Sequence, residues 1–292
     1  MKDPLFTGVA TAIVTPFAAD GSVDLSVFDR LLRAQLAAGI DAIVVCGTTG
    51  ESSTLTEQEQ LSLIAHAVEY AAGRCKIIAG TGSNSTAHAL ALSRAACALG
   101  ADGLLLVTPY YNKCTQEGLL AHYFAIADAV TCPIIVYSVP SRTGLDISVE
   151  TCVRLSTHPN LNGIKEAGGD TAKAARILQR CGDAFHLWSG NDDQIAPLMA
   201  LGAKGVISVL SNVRPHKTMA LTHAALRGDY QTAGQMQCAC MPLVDALFCE
   251  VSPGPVKYAL ELEGFPVGAP RLPLTPLSES NRPRLAAALG TW

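Results

Sequence analysis

Charge is scarce in this sequence, and none of it is concentrated into a basic or acidic stretch. Asp, Glu, Lys and Arg together make up 16% of the residues and the net charge is −4, so neither nucleic acid nor an anionic lipid surface is indicated as the main partner. Long apolar runs are missing as well. Every hydrophobic stretch is broken by Gly, Pro or a polar residue before the roughly 18 residues that a membrane span needs, although mean hydropathy is +0.27. Low-complexity tracts are absent, and 49% hydrophobic residues exclude a disordered chain. No apolar signal core precedes the first strand-like segment after Met1-Lys2-Asp3-Pro4, so a cytoplasmic protein is expected.

Several motifs are also wanting. The 10 cysteines are scattered, and the nearest pair, Cys238 and Cys240, lacks both C-x-x-C spacing and a nearby histidine. This excludes a zinc site or a small disulfide scaffold and predicts reduced, mostly buried thiols. No G-x-G-x-x-G follows the first strand and no G-x-x-x-x-G-K-[ST] occurs anywhere, which argues against nucleotide-binding folds.

What the sequence does have is alternation. Short Val/Ile/Leu-rich runs lie at Val9–Phe17, Ala42–Gly47, Lys76–Thr81, Gly103–Pro109, Pro133–Pro140, Asn162–Ala167, Phe185–Gly190 and Gly205–Leu210. Runs apolar throughout, such as Ile134-Ile135-Val136, suit strands covered on both faces. Longer Ala-rich amphipathic stretches separate them. One opens at Thr56, with Leu61, Ile64, Ala65 and Val68 at helical spacing behind Glu57 and Glu59. Gly39, Gly100 and Gly202 read as helix stops. Eight strand–helix units predict an α/β fold, a (β/α)8 TIM barrel over residues 1–227, with a C-terminal helical extension over 228–292.

Such a barrel places its chemistry at the C-terminal strand ends, and this sorts the lysines. Lys76 and Lys204 start their strands; Lys2, Lys173, Lys217 and Lys257 fall on helices or tails and read as solvated; Lys113 sits in a polar turn. Lys165 alone lies inside an apolar strand near its far end. It is either a desolvated amine ready to attack a carbonyl or a structural lysine paired with Glu166. Adjacent strand residues face opposite sides, which disfavours that pairing. The same rim gathers a glycine-flanked hydroxyl turn at Gly47-Thr48-Thr49-Gly50-Glu51, able to hold a small carboxylate. It also gathers Tyr137, a potential proton shuttle, and Arg142, a potential carboxylate clamp. Singly, each also reads as packing or surface charge; together they point to a site.

Five motifs in order, G-T-T-G-E (47–51), T-P-Y-Y-N (108–112), Y-x-V-P-S-R-T-G (137–144), G-I-K-E-A (163–167) and G-V-I-S-V (205–209), resemble the dihydrodipicolinate synthase family of the pyruvate-dependent class I aldolase superfamily. The resemblance runs from about Phe6 into the C-terminal helices. It implies that Lys165 forms a Schiff base with pyruvate, that Tyr137 moves protons, and that Thr48 links Tyr137 to Tyr111 of a neighbouring subunit. Thr49 would hold the pyruvate carboxylate, Gly190 and Ile207 would line the pocket, and Arg142 would receive the carboxylate of L-aspartate 4-semialdehyde. The product would be 4-hydroxy-tetrahydrodipicolinate, on the lysine and diaminopimelate route. No metal or organic cofactor is implied; a homo-oligomer is, a tetramer built as a dimer of dimers.

The resemblance also implies an effector site for lysine at Ser52, Gln60, Asn84, His88 and Tyr110. It is degenerate here, since relatives carry histidine at position 60 and glutamate at position 88. Ser138 departs more mildly from the family's frequent asparagine. Two rival readings are an N-acetylneuraminate lyase or keto-deoxy sugar-acid aldolase on the same scaffold, which usually lacks Arg142, and a non-catalytic small-molecule-binding paralogue, which would be expected to lose the lysine or the tyrosine.

Overall fold

The eight apolar runs become eight parallel strands in a computed structural model that describes all 292 residues. They are β1 Gly8–Ala12, β2 Ala42–Val45, β3 Lys76–Gly80, β4 Gly103–Val107, β5 Ile134–Ser138, β6 Leu161–Glu166, β7 His186–Ser189 and β8 Gly205–Ser208. Each pairs with the next and β8 returns to β1, closing the barrel.

Strand parity sorts side chains between two cores. Ala10, Ala12, Val44, Ile135, Tyr137, Trp188 and Ile207 point into the barrel. Their alternates Val9, Ile43, Val45, Ile134, Val136 and Ile164 pack against the surrounding helices in a cluster of 70 buried residues, as the period of two requires. Trp188 fills the barrel floor, stacked on Phe6 with ring centroids 5.2 Å apart. Its ring needs Gly163: a Cβ there would lie 2.8 Å from Trp188 and strike the His186 carbonyl.

The helices follow local signals. Thr56 and Glu59 form a reciprocal capping box at the start of Glu57–Ala71, and Gly39 ends Leu25–Ala38 in the left-handed region. The buried stripe of Glu57–Ala71 is Gln60, Leu63, Ile64, Ala67 and Ala71. This corrects the expected stripe by about one residue, because Leu61, Ala65 and Val68 are only half-buried. The barrel packs the next residue round the helix.

The C-terminal extension forms helices Tyr230–Leu247, Gly254–Leu262 and Arg282–Leu289. Residues 265–280 are irregular rather than helical, since Pro266, Pro270, Pro273 and Pro276 remove backbone donors at short intervals. That segment runs back along the barrel, with Phe17 N–H donating to the Val267 carbonyl at 3.0 Å.

Three lysines expected in solvent are instead engaged. Lys257 is 2% exposed and pairs with Glu51 at 2.7 Å. Lys173 is buried between Glu166 and Asp146. Lys2 donates to the carbonyls of Ser156, His158 and Leu161. In each case the ammonium finds oxygen partners within the fold, as the long apolar stem of a lysine permits. The cysteines also depart in part from expectation. Cys97 and Cys132, Cα atoms 6.0 Å apart, are joined as a disulfide, while the other eight are free and five of those are buried.

Candidate active site

A cavity of about 180 Å³ opens at the C-terminal strand ends, walled by Thr48, Thr49, Tyr137, Arg142, Lys165 and Gly190 among others. Six of the eight catalytic and substrate-binding residues expected from the sequence therefore meet in one place.

Parity turns Lys165 and Tyr137 inward from adjacent strands, where they are direct register partners. The Lys165 ammonium position lies 4.2 Å from the centre of the Tyr137 ring. Burial pulls the Lys165 pKa down to about 7; Asp192 opposes this and the Arg142 charge reinforces it. Half of the amine is thus neutral, and nucleophilic, near neutral pH. Burial pushes the Tyr137 phenol up to about 12, with Arg142 and the Thr48 hydroxyl pulling the other way. Tyr137 keeps its proton at rest and can relay it.

Gly190 makes room for the lysine. A Cβ at this position would sit 3.1 Å from Lys165 Cε and 2.7 Å from the Ala167 Cβ. Asp192 lies two residues further on, buried, with Oδ2 accepting from the Val209 and Leu210 amides at 3.0 and 2.9 Å.

The hydroxyl turn is rigid. Cys46 and Glu51, at φ 56° and 57°, hold left-handed conformations at its two ends. Glu51 N–H donates to the Thr48 carbonyl at 3.1 Å and Thr15 Oγ1 donates to the Gly50 carbonyl at 2.6 Å. The Glu51 carboxylate takes the Arg271 amide at 2.9 Å and faces Lys257, so the C-terminal segment braces the turn. Arg142 sits in the single helical turn Pro140–Thr143 and makes no ion pair within the chain.

Two expected site residues are not on this wall. Ile207 is 1% exposed in the barrel interior, and Val209, two residues later, takes the wall position. Tyr111 is 89% exposed with φ 72° and lines no part of its own chain's cavity.

A second cavity of about 390 Å³ adjoins the first and shares Thr48, Val139 and Arg142 with it. Ser52, Gln60, His88 and Tyr110 line it; Asn84 does not. Gln60 Nε2 is committed to the Ser52 and Leu55 carbonyls, and no carboxylate lies on the wall.

Reasoning from sequence missed Asp192, Phe248 and Ser252. The Asp192 signal was available, since G-N-D-D follows β7 at the active rim. Phe248 and Ser252 reach the cavity from the extension, and no local pattern announces that return.

Fold and site define a (β/α)8 enzyme with a buried, deprotonatable lysine at the C-terminal end of its sixth strand. A model of the dihydrodipicolinate synthetase family matches residues 5–291, and the chain belongs to that family. It is 51% identical, over 99% of its length and 98% of the relative's, to a 4-hydroxy-tetrahydrodipicolinate synthase of Exiguobacterium sibiricum. Among solved structures it superposes on the dihydrodipicolinate synthase of Aquifex aeolicus with TM-score 0.96 and 44% identity, covering 98% of this chain and 97% of that one. It matches the chloride-inhibited Acinetobacter baumannii enzyme complexed with pyruvate at TM-score 0.95 and 44% identity, over 98% and 99% of the two chains.

Proposed function

We propose that this lyase condenses pyruvate with L-aspartate 4-semialdehyde to give 4-hydroxy-tetrahydrodipicolinate. The observation that carries this reading is Lys165, a buried amine titrating near 7 against the Tyr137 ring.

The neutral Lys165 amine adds to the pyruvate keto carbon. Tyr137 carries protons as the carbinolamine loses water to a protonated imine. That imine is the electron sink: losing a methyl proton gives an enamine, whose carbon attacks the aldehyde while the aldehyde oxygen takes a proton. The substrate's own amine then displaces Lys165, closing the ring. The scheme calls for no metal or organic cofactor. The Thr48–Thr49 turn would hold the pyruvate carboxylate and Arg142 that of the aldehyde, with Gly190 and Val209 completing the wall.

Arg142 on the cavity wall, a residue that sugar-acid aldolases on this scaffold usually lack, favours the semialdehyde over a sugar-acid polyol. The exposed Tyr111 is assigned to the relay of a second copy, through Thr48. The working unit is then at least a dimer, read here as a cytoplasmic tetramer of paired dimers; a structural relative at 43% identity is described as a monomeric variant. Residues 1–227 are assigned the catalytic barrel and 228–292 the bracing extension. Ser52, Gln60, Asn84, His88 and Tyr110 are read as a degenerate effector site.

Borohydride reduction in the presence of pyruvate, followed by peptide mass mapping, tests the scheme. A pyruvate-derived adduct on Lys165 is expected; an unmodified Lys165 would overturn it.

A further inference from the structure

Apart from Glu51 Oε1, which Lys257 neutralises at 2.7 Å, four buried side-chain polar atoms lack a hydrogen-bond partner: His122 Nε2, Asp192 Oδ1, Ser252 Oγ and Arg282 Nε. Only Ser252 belongs to a residue on the wall of the catalytic cavity. It is 3% exposed and lies in the connection between helices Tyr230–Leu247 and Gly254–Leu262. An unpaired buried hydroxyl costs stability, and alanine would fill the same place without that cost. The position therefore carries a polar atom that the folded chain does not use.

The surroundings fit a waiting donor. Ala12, Val44, Leu105, Val209 and Phe248 make much of the wall apolar, which strengthens any hydrogen bond formed there. The segment is also held in place. A Cβ on Gly254 would lie 3.0 Å from the Thr275 carbonyl, and Lys257, one turn on, is locked to Glu51. A hydroxyl so fixed is preorganised rather than ordered by the ligand.

We infer that Ser252 is a substrate-binding residue whose hydroxyl donates to a carbonyl or carboxylate oxygen of the bound keto acid or of the incoming aldehyde. This rests on reading the cavity as catalytic. It gives the C-terminal extension a direct part in recognition, in addition to bracing the Thr48–Thr49 turn.

The test compares wild type with Ser252→Ala by steady-state kinetics in each substrate, borohydride trapping with pyruvate alone, and thermal melting. One KM should rise about two- to tenfold, the equilibrium worth of one neutral hydrogen bond, with the melting temperature unchanged or higher. A raised pyruvate KM with weaker trapping assigns the keto acid; a raised aldehyde KM with unchanged trapping assigns the aldehyde. Two unchanged KM values, or a loss of activity that tracks a lowered melting temperature, would overturn the inference. A wild-type chain that fails to condense the two substrates would overturn the catalytic reading itself, and the inference with it.

Discussion

Glu166 Oε2 and Lys173 Nζ form an ion pair at 3.0 Å on the outer side of the barrel, with side chains 2% and 10% exposed. Burial raises the Glu166 carboxyl, and Lys173 opposes that rise. Burial alone would lower Lys173, but Glu166 and Asp146 carry it above its ordinary value. The same cluster joins the end of β5, where Ser138 Oγ donates to Asp146 at 2.8 Å. Glu166 is thus occupied outside the barrel, while Lys165, its chain neighbour, makes no ion pair inside it and feels only the charge of Asp192.

Removing one partner of such a pair strands a buried charge, at a cost of about 3–5 kcal/mol. Lys173→Met is therefore expected to lower stability by that order in chemical denaturation, and Glu166→Gln in the same chain to recover much of it. Equal stability of Lys173→Met and wild type would contradict the pairing.

Much of this was legible in the sequence. Eight runs of buried-strand character fixed the barrel, and parity alone separated Lys165 from Glu166. The fates of Lys173 and Lys257 were not legible. Helical position predicts exposure for a lysine, whereas burial depends on partners, Glu166 and Glu51, contributed by distant elements. The same limit hid Ser252, whose place on the cavity wall depends on how the extension returns to the barrel.

The Lys165 pKa near 7 fixes the sign of the pH dependence. Lowered from 10.5, the group is mostly neutral above 7 and mostly charged below it, so kcat/KM should fall about tenfold per unit as the pH drops well below 7. Asp192 holds the ammonium form up. In Asp192→Asn the amide oxygen can still accept the Val209 and Leu210 amides, so this acid limb should move to lower pH in a pH–rate profile. A limb that moved upward would sink the electrostatic assignment.

Arg142 acts on the same limb from the opposite side. Its charge lowers Lys165, so Arg142→Ala should shift the limb to higher pH. The variant also loses the clamp for the second carboxylate. A hydrogen bond to a charged group contributes about 1.5–3 kcal/mol, or roughly ten- to a hundredfold. The aldehyde KM should rise by that factor, while borohydride trapping of pyruvate, measured above the shifted limb, stays near wild type. Equal losses for both substrates would place Arg142 elsewhere in the reaction.

The effector site proposed in the second cavity predicts a weak response to lysine. An amino-acid effector needs a carboxylate for its ammonium, and the wall offers none, Arg142 being its one formally charged side chain. Glu57 Oε2, 3.9 Å from His88 Nδ1, is half-exposed and off the wall. Gln60 spends its donors on backbone carbonyls and has none left for a ligand. The missing charge-assisted bond weakens binding about ten- to a hundredfold, so lysine should inhibit this enzyme weakly or not at all. His88→Glu places a carboxylate on that wall and should bring inhibition to lower lysine concentration in the same assay. Half-inhibition of wild type below millimolar lysine, or no gain in His88→Glu, would show that the ammonium is held by some other group.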